Sequence, residues 1–150
     1  MINARAETVA AKPAYRDSFR RRRCLIPADG FYEWSGTKGE KQPFYITTKD
    51  REPFAMAGLW DRWQGPEGTS LETCTVIVTE ANDVVRPIHD RMPVIIPADR
   101  YDQWLDPGTT DPMKLAPMLQ TYVNETLEAY PVAKAVNNAK NEGAELIEPM

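Results

Sequence analysis

The sequence predicts an α+β domain built on antiparallel sheet. Many short stretches rich in β-branched and aromatic residues are separated by turns, whereas helical patterns are few and short. The strands do not alternate with helices, as a parallel sheet of βαβ units would require. The length of 150 residues suits one compact domain, and no linker interrupts it, so we expect a single domain over residues 1–150.

The first half of the chain predicts a short helix at 13–19, then an apolar run that turns at 27–30, where Pro27 sets φ and Gly30 supplies a positive φ. Strands are predicted at 31–34, 43–48 and 54–63, with a loop rich in Gly and Lys at 35–41. In the second half, the clearest strand is 72–79, and Asn82 is an expected N-cap of a short helical turn. A strand at 92–97, helices at 98–105 and 112–119, and a last strand at 130–136 complete the prediction.

The composition is that of a soluble globular protein, with 42% apolar and 27% charged residues. No apolar run approaches the length of a membrane span, and no secretory signal is evident, so no membrane partner is expected. Two cysteines fifty residues apart, Cys24 and Cys74, suit reduced thiols in a cytoplasmic protein. A single histidine, His89, and no Cys-x-x-Cys argue against a metal site, and we expect no cofactor.

Charge is distributed unevenly along the chain. The net charge is −4, yet residues 1–24 contain seven basic residues against two acidic ones. Such asymmetry can produce a positive field over one surface, which suits nucleic acid, or it can be a solvated basic turn with no ligand. Charge alone leaves both interpretations open.

Residues 31–34 place a carboxylate among aromatic side chains. In an extended strand, Phe31 and Glu33 share one face, while Tyr32 and Trp34 share the other. Desolvation by such neighbours raises a carboxyl pKa and makes Glu33 a candidate acid/base residue. The alternative is an edge strand whose Glu33 points into water.

Two further pairs of residues lie two positions apart. An extended backbone would place His89 and Arg91 on one face, an arrangement suited to acid or base catalysis on an anionic substrate. Asn3 and Arg5 could likewise share a face and offer an amide and a phosphate-binding guanidinium. Each pair could also be ordinary structural or surface residues. No Gly-rich phosphate loop, nucleophile elbow or pair of metal-binding histidines is present, so these residues alone define no reaction.

Three successive motifs are together more specific than any of these pairs. They are residues 3–8 (NARAET), 22–34 (RRCLIPADGFYEW) and 88–93 (IHDRMP), with 57–60 (AGLW) and 79–82 (TEAN) between them. In order and spacing, the chain resembles the SRAP (SOS-response-associated peptidase) family over nearly its whole length. The resemblance implies curved antiparallel sheets forming a barrel-like core, with short peripheral helices and a positively charged groove for single-stranded DNA.

The resemblance also implies an activity in the response to DNA damage. Members of the family capture abasic sites covalently as DNA–protein crosslinks, and they are classed as thiol peptidases because they remove their own initiator methionine. A cytoplasmic protein that joins the nucleoid when bound to DNA is expected. Carried over to this chain, Asn3 would orient the crosslinked sugar and Glu33 would act as acid/base. His89 would assist protonation of the opening deoxyribose ring, and Arg5 and Arg91 would hold flanking phosphates.

The beginning of the chain departs from the family pattern. Family members begin Met-Cys-Gly-Arg, and the cysteine exposed by methionine removal closes onto the abasic aldehyde as a thiazolidine through its thiol and its free amine. Cys24 and Cys74 have their nitrogens in peptide bonds and cannot do this. Because Met1 and Ile2 directly precede the Asn3 motif, we expect an SRAP domain that lacks its N-terminal segment and its nucleophile.

Two alternatives to abasic-site capture remain open at this point. One is a non-catalytic remnant that binds single-stranded DNA through Arg5, Arg91 and the basic run 20–23. The other is a hydrolase that pairs Cys24 or Cys74 with His89. Loss of several strands would expose sheet edges, so self-association is also expected.

Overall fold

The computed structural model describes residues 2–122 and 125–150, so that Met1, with which the chain begins ahead of the Asn3 motif, lies outside it. Within these ranges, the strands are β1 (Asn3–Arg5), β2 (Arg23–Ala28), β3 (Gly30–Ser35), β4 (Gln42–Thr48), β5 (Phe54–Gln64), β6 (Ser70–Glu80), β7 (Arg91–Pro93), β8 (Ile95–Ile96) and β9 (Leu127–Pro131). The α-helices of the same ranges are α1 (Arg16–Arg21), α2 (Tyr101–Leu105) and α3 (Pro112–Leu115). The content is therefore mixed α+β, mostly sheet with short helices, as predicted.

The chain forms two compact units. The first contains the residues up to Pro27 together with Phe54–Thr79 and Pro93–Tyr122. The second contains Ala28–Pro53, Glu80–Met92 and the described residues after Tyr122. We describe each unit by itself, and the single domain expected over residues 1–150 stays a prediction.

The first unit is built on a sheet with strand order β1-β6-β5-β2, and β8 pairs with β5. β5 and β6 form a long antiparallel hairpin that runs from Gly58 opposite Val76 to Gln64 opposite Ser70. β1 pairs with β6 in parallel, with Asn3 opposite Val76, which the prediction of antiparallel sheet missed. A parallel pair needs a long connection, and here more than sixty residues separate the two strands.

The core of the first unit lies under the inner halves of β5 and β6. Ala57, Leu59 and Ile77 are buried there against Phe19 of α1 and Trp104 of α2. The rings of Phe19 and Trp104 are tilted, with their centroids 6.2 Å apart. The two short helices are thus stabilised by tertiary packing, since helices of five or six residues are not stable alone.

The second unit is built on an antiparallel sheet of β3, β4 and β9. Its register places Tyr32 opposite Tyr45 and Tyr45 opposite Tyr130. The centroid of the Tyr45 ring lies 5.4 Å from that of Tyr32 and 5.9 Å from that of Tyr130. A row of tyrosines therefore covers one face of this sheet, and Glu33 and Phe44, one position along, belong to the opposite face.

Gly30, at the start of β3, serves a purpose other than the one predicted. It is absent from the glycines with positive φ. A Cβ at this position would instead overlap the Tyr45 ring and lie 2.6 Å from the Ile46 carbonyl oxygen. The residue is a glycine because the Tyr45 ring packs directly on its backbone.

The sheets do not close into the barrel that was expected. In the part of the chain that the structure describes, β1 and β2 end one strand order, and β3 and β9 end the other, without pairing to close either sheet. Closure requires every strand to have two neighbours, and these four strands have one each. The open edges are the basis of the expected self-association, which stays a prediction.

The last strand lies earlier in the chain than predicted, because β9 ends at Pro131 and residues 134–137 form a 3-10 helix. The partner strand explains the end of the ladder. Pro43 has no amide hydrogen to donate, so the last bond runs from the Val132 amide to the Pro43 carbonyl, at 3.1 Å. No helix in the described ranges has the length and apolar character needed to cross a membrane.

Candidate functional site

The second unit contains an open cavity of about 700 Å³ at one end of its three-stranded sheet. Its lining combines a carboxylate, an imidazole, an indole and three ammonium groups with small and apolar residues. The lining residues are Glu33, Trp34, Lys38, Gly39, Lys41, His89, Lys134, Val136, Asn137 and Ala139. Two of the predicted catalytic residues, Glu33 and His89, are thus brought together although they lie 56 positions apart in the sequence.

Glu33 is held in the middle of β3, opposite Phe44 of β4. Its side chain is half-buried, and desolvation raises the pKa of the carboxyl group. His89 and Lys41, the hydrogen bond from the Trp34 amide, and the negative charge of Asp90 are weaker influences, of which only Asp90 raises the pKa further. The carboxyl group therefore keeps a proton to a higher pH than an ordinary glutamate, as the aromatic surroundings predicted.

The His89 ring is held by the main chain of Arg91, two residues later in the sequence. The Arg91 amide donates to His89 Nδ1 at 3.0 Å. The Arg91 carbonyl oxygen lies 3.2 Å from the same nitrogen, so Nδ1 accepts a hydrogen bond in one tautomer of the ring and donates one in the other. Asp90 Oδ1 lies 3.4 Å from Nδ1.

The loop before His89 is organised by Asn82. Its side-chain oxygen accepts hydrogen bonds from the amides of Val84 (3.2 Å) and Val85 (3.1 Å), which confirms the predicted cap. The Val85 carbonyl then accepts from the His89 amide at 2.9 Å. The chain bends at Asp90, so the extended conformation predicted for His89 and Arg91 is wrong.

Trp34 lines the same cavity, and its indole is held by a hydrogen bond and by an aromatic contact. Trp34 Nε1 donates to Asn137 Oδ1 at 2.7 Å. The ring also packs at a tilt against Tyr32, with 6.2 Å between centroids. The contact between Tyr32 and Trp34 agrees with the predicted two-residue period of β3.

Sequence reasoning missed the three lysines of the lining. Lys38 and Lys41 come from the loop between β3 and β4, and Lys134 follows β9. The Gly- and Lys-rich composition of residues 35–41 was a signal, but it predicted only a loop. Lys134 had no signal of its own in the sequence.

Asn3 and Arg5 lie on β1 in the first unit. Both are exposed while Ala4 between them is buried, which confirms that they share a face. The Asn3 carbonyl accepts a hydrogen bond from the Tyr15 hydroxyl at 3.1 Å, and the Arg5 carbonyl accepts from the Val9 amide at 2.9 Å. The main chain is thus held while the amide and guanidinium groups face solvent. Arg91 begins β7 in the second unit and is half-buried.

The basic run 20–23 is less available to a ligand than its charge suggested. Arg23 is buried and donates to five main-chain carbonyls at 2.5–2.9 Å, so it is a structural residue. Arg22 donates to Ser18 Oγ at 2.9 Å and lies 3.4 Å from Asp61. Only Arg20 and Arg21 of the run are exposed without such side-chain contacts among the described residues.

The Cys24 thiol does not have the environment of an activated nucleophile, and Cys74 is exposed. Cys24 is half-buried, and desolvation first, then the nearby Cys74, raises the pKa of its thiol. A raised pKa lowers the thiolate fraction on which thiol reactivity depends. Within residues 2–122 and 125–150, no group of three His, Cys, Asp or Glu residues could hold a metal ion.

Sequence comparison identifies relatives over the whole chain. The chain is 48% identical over 149 residues to the abasic site processing protein YoqW of Bacillus subtilis (strain 168), which covers 99% of this chain and 66% of that protein. It is 36% identical over 162 residues to the abasic site processing protein HMCES of Xenopus tropicalis, with 93% and 47% covered. It is 30% identical over 152 residues to YedK of Escherichia coli (strain K12), also named an abasic site processing protein, and the match covers 100% of this chain and 68% of that protein. The chain thus spans about two thirds of the length of its Bacillus relative.

Solved structures are similar over the same range. A crystal structure of a protein from Bacteroides thetaiotaomicron superposes with a TM-score of 0.89 at 31% identity, covering 99% of this chain and 65% of that one. A protein from Bordetella bronchiseptica gives a TM-score of 0.76 at 32% identity, covering 87% and 64%. Residues 1–139 match the family described as SOS response associated peptidase (SRAP). The chain therefore belongs to the SRAP family.

Proposed function

We propose that this chain binds single-stranded DNA at abasic sites and catalyses proton transfer at the exposed deoxyribose, as part of covalent lesion capture in the response to DNA damage. The observation that carries the proposal is the cavity that Glu33 and His89 share, in which burial raises the pKa of the Glu33 carboxyl group. Three relatives named as abasic site processing proteins support it.

The deoxyribose of an abasic site must open before its aldehyde can react. Opening breaks the C1′–O4′ bond, removes the proton of the 1′-hydroxyl and supplies a proton to O4′. A carboxyl group with a raised pKa can donate a proton at a higher pH than an ordinary glutamate and, once ionised, can accept one, so we assign this exchange to Glu33. His89 assists through its imidazole, which carries its proton on Nε2 in the tautomer that accepts from the Arg91 amide.

The remaining predicted residues are assigned to substrate binding. Arg5 and Arg91 bind phosphates that flank the lesion, and Asn3 orients the sugar. The exposed side chains of Asn3 and Arg5 on one face of β1 support these roles. Binding through phosphates weakens with salt, because each contact releases condensed counterions.

The covalent step lies outside what the cysteines of this chain can do. The nitrogens of Cys24 and Cys74 are in peptide bonds, so neither residue can form a thiazolidine. The raised pKa of the Cys24 thiol also disfavours the hydrolase alternative. A small 1,2-aminothiol in solution can take the place of the nucleophile, since it converts the opened aldehyde into a thiazolidine with release of water.

The test is therefore a rescue experiment. The chain is mixed in excess with a single-stranded oligonucleotide in which uracil excision has left one abasic site, and cysteamine is added. Mass spectrometry follows the thiazolidine adduct of the oligonucleotide. The expected result is an acceleration of about 100-fold over the free strand, the usual contribution of general acid–base catalysis. Glu33→Gln should return the rate to that of the free strand.

Glu40→Gln is the matched control, because Glu40 is an exposed carboxylate in the adjoining loop that does not line the cavity. It should leave the acceleration unchanged. Fluorescence anisotropy with the same oligonucleotide measures binding separately. Binding without acceleration would reject proton transfer and select the non-catalytic DNA-binding alternative, and a chain that does not bind the strand would reject both.

A further inference from the structure

The three lysines that line the cavity of the second unit have no part in the proton transfer proposed above. They are Lys38, Lys41 and Lys134, and all three are exposed at its rim. Glu33 is the carboxylate of the same lining. The rim therefore concentrates positive charge on a chain whose net charge is −4.

The sheet register explains how residues 93 positions apart in sequence reach the same rim. β4 and β9 pair antiparallel up to Phe44 opposite Pro131. Lys41 lies directly before β4, and Lys134 begins the 3-10 helix that follows β9. Gln42 secures the junction, because its Nε2 donates to the carbonyls of Pro43 (3.0 Å) and Val132 (2.9 Å). Two of the lysines thus lie just beyond the paired end of the sheet.

The three lysines of the rim form no ion pair with a carboxylate of the described residues. Across the described residues, no carboxylate oxygen lies within 4.0 Å of any of the three ammonium groups. Glu40 lies between Lys38 and Lys41 in sequence but does not line the cavity. Grouped like charges repel one another, and a negatively charged ligand removes that cost.

We propose that Lys38, Lys41 and Lys134 form a binding site for the phosphodiester backbone of the single strand, next to the cavity that receives the lesion. This inference rests on the proposed function and adds a second group of phosphate contacts to those of Arg5 and Arg91. The lysine ammonium group binds phosphate as a point charge without reading sequence, as a lesion-directed site requires.

The site also links DNA binding to the acid/base residue. Lys41 stabilises the ionised form of Glu33 through space. A phosphate bound to Lys41 opposes that effect with its own negative charge, so the strand helps Glu33 to keep its proton while the lesion is in place.

The salt dependence of binding tests the proposal. Anisotropy titrations use the full chain and a labelled single strand that carries a tetrahydrofuran abasic analogue, at 50 to 200 mM KCl. Each lost phosphate contact lowers the slope of log K against log salt by about 0.7, so the triple variant Lys38→Gln, Lys41→Gln, Lys134→Gln should lose about 2 units. Over this salt range, wild-type affinity should then fall by about 20-fold more than that of the variant.

The matched control replaces three exposed lysines that do not line the cavity: Lys12→Gln, Lys49→Gln and Lys114→Gln. It removes the same total charge and should change the slope by less than half as much. Equal slopes for the two triple variants, or a rim variant with the wild-type slope, would overturn the proposal. The proposed function would survive that result if Arg5→Gln still weakened binding, whereas a wild-type chain that does not bind the strand would reject both.

Discussion

The two units use positive charge in opposite ways. In the first unit, Arg23 is buried, and its five N–H donors all reach main-chain carbonyls. In the second unit, Lys38, Lys41 and Lys134 are exposed around a cavity, and among the described residues no carboxylate oxygen lies within 4.0 Å of their ammonium groups. Charge density in the sequence pointed to the first group, at residues 20–23, and overlooked the second.

The two groups carry the same charge and differ in whether their N–H donors already have hydrogen-bond partners within the described part of the protein. Two of the carbonyls that Arg23 caps, those of Phe19 and Arg20, lie at the C-terminal end of α1, where helical carbonyls lack partners. The others belong to Trp104, Asp106 and Thr109 at and beyond the end of α2. Arg23 therefore joins two helix ends and has no donor left for a phosphate.

The largest expected effect comes from removing this arginine. Arg23→Met should lower the free energy of unfolding by about 3–5 kcal/mol, because buried carbonyls lose their donors at once. Urea unfolding followed by circular dichroism measures the change. Arg21→Met, at an exposed position of α1, should change the free energy of unfolding by no more than about 0.5 kcal/mol. If both variants were equally stable, the structural role assigned to Arg23 would be wrong.

A smaller loss of stability is expected from disturbing the packing of the three-stranded sheet in the second unit. Gly30→Ala introduces a Cβ that overlaps the Tyr45 ring and should cost about 2 kcal/mol. Gly39→Ala, in the rim loop, meets nothing within 4 Å and should cost only about 1 kcal/mol, through its φ of 100°. Thermal melts compare the two variants, and a Gly30 variant that melts no earlier than the Gly39 variant would contradict the packing.

The smallest effect concerns Glu33 and depends on pH. Because its pKa is raised, the folded chain holds this proton more tightly than the unfolded chain, and ionisation therefore destabilises the fold. This loss of stability begins as the pH rises above the usual glutamate pKa. It is complete once the pH exceeds the raised pKa of Glu33 in the folded chain. Glu33→Gln should thus melt higher than wild type near pH 7 and converge with it below about pH 4. A Glu40→Gln variant with the same pH-dependent difference would show that burial of Glu33 is not the cause.

Local patterns predicted most of the secondary structure. The errors occur where pairing with another strand determines where a strand ends or which direction it runs. The strands around Tyr45 and Ile77 follow from their β-branched and aromatic content, and the Asn82 cap from its side-chain chemistry. The end of β9 depended instead on Pro43 in its partner strand. The parallel pairing of β1 likewise depends on β6, more than sixty residues away.

By itself, the sequence determined the family, the α+β class and the candidates Asn3, Arg5, Glu33, His89 and Arg91, because motif order and residue chemistry are properties of the chain. Only the tertiary structure decided which charged groups share a surface. It buried Arg23 against main-chain carbonyls and brought Lys134 and Lys41 to the same cavity. Contacts between distant residues set burial and electrostatic environment, and no local pattern carries that information.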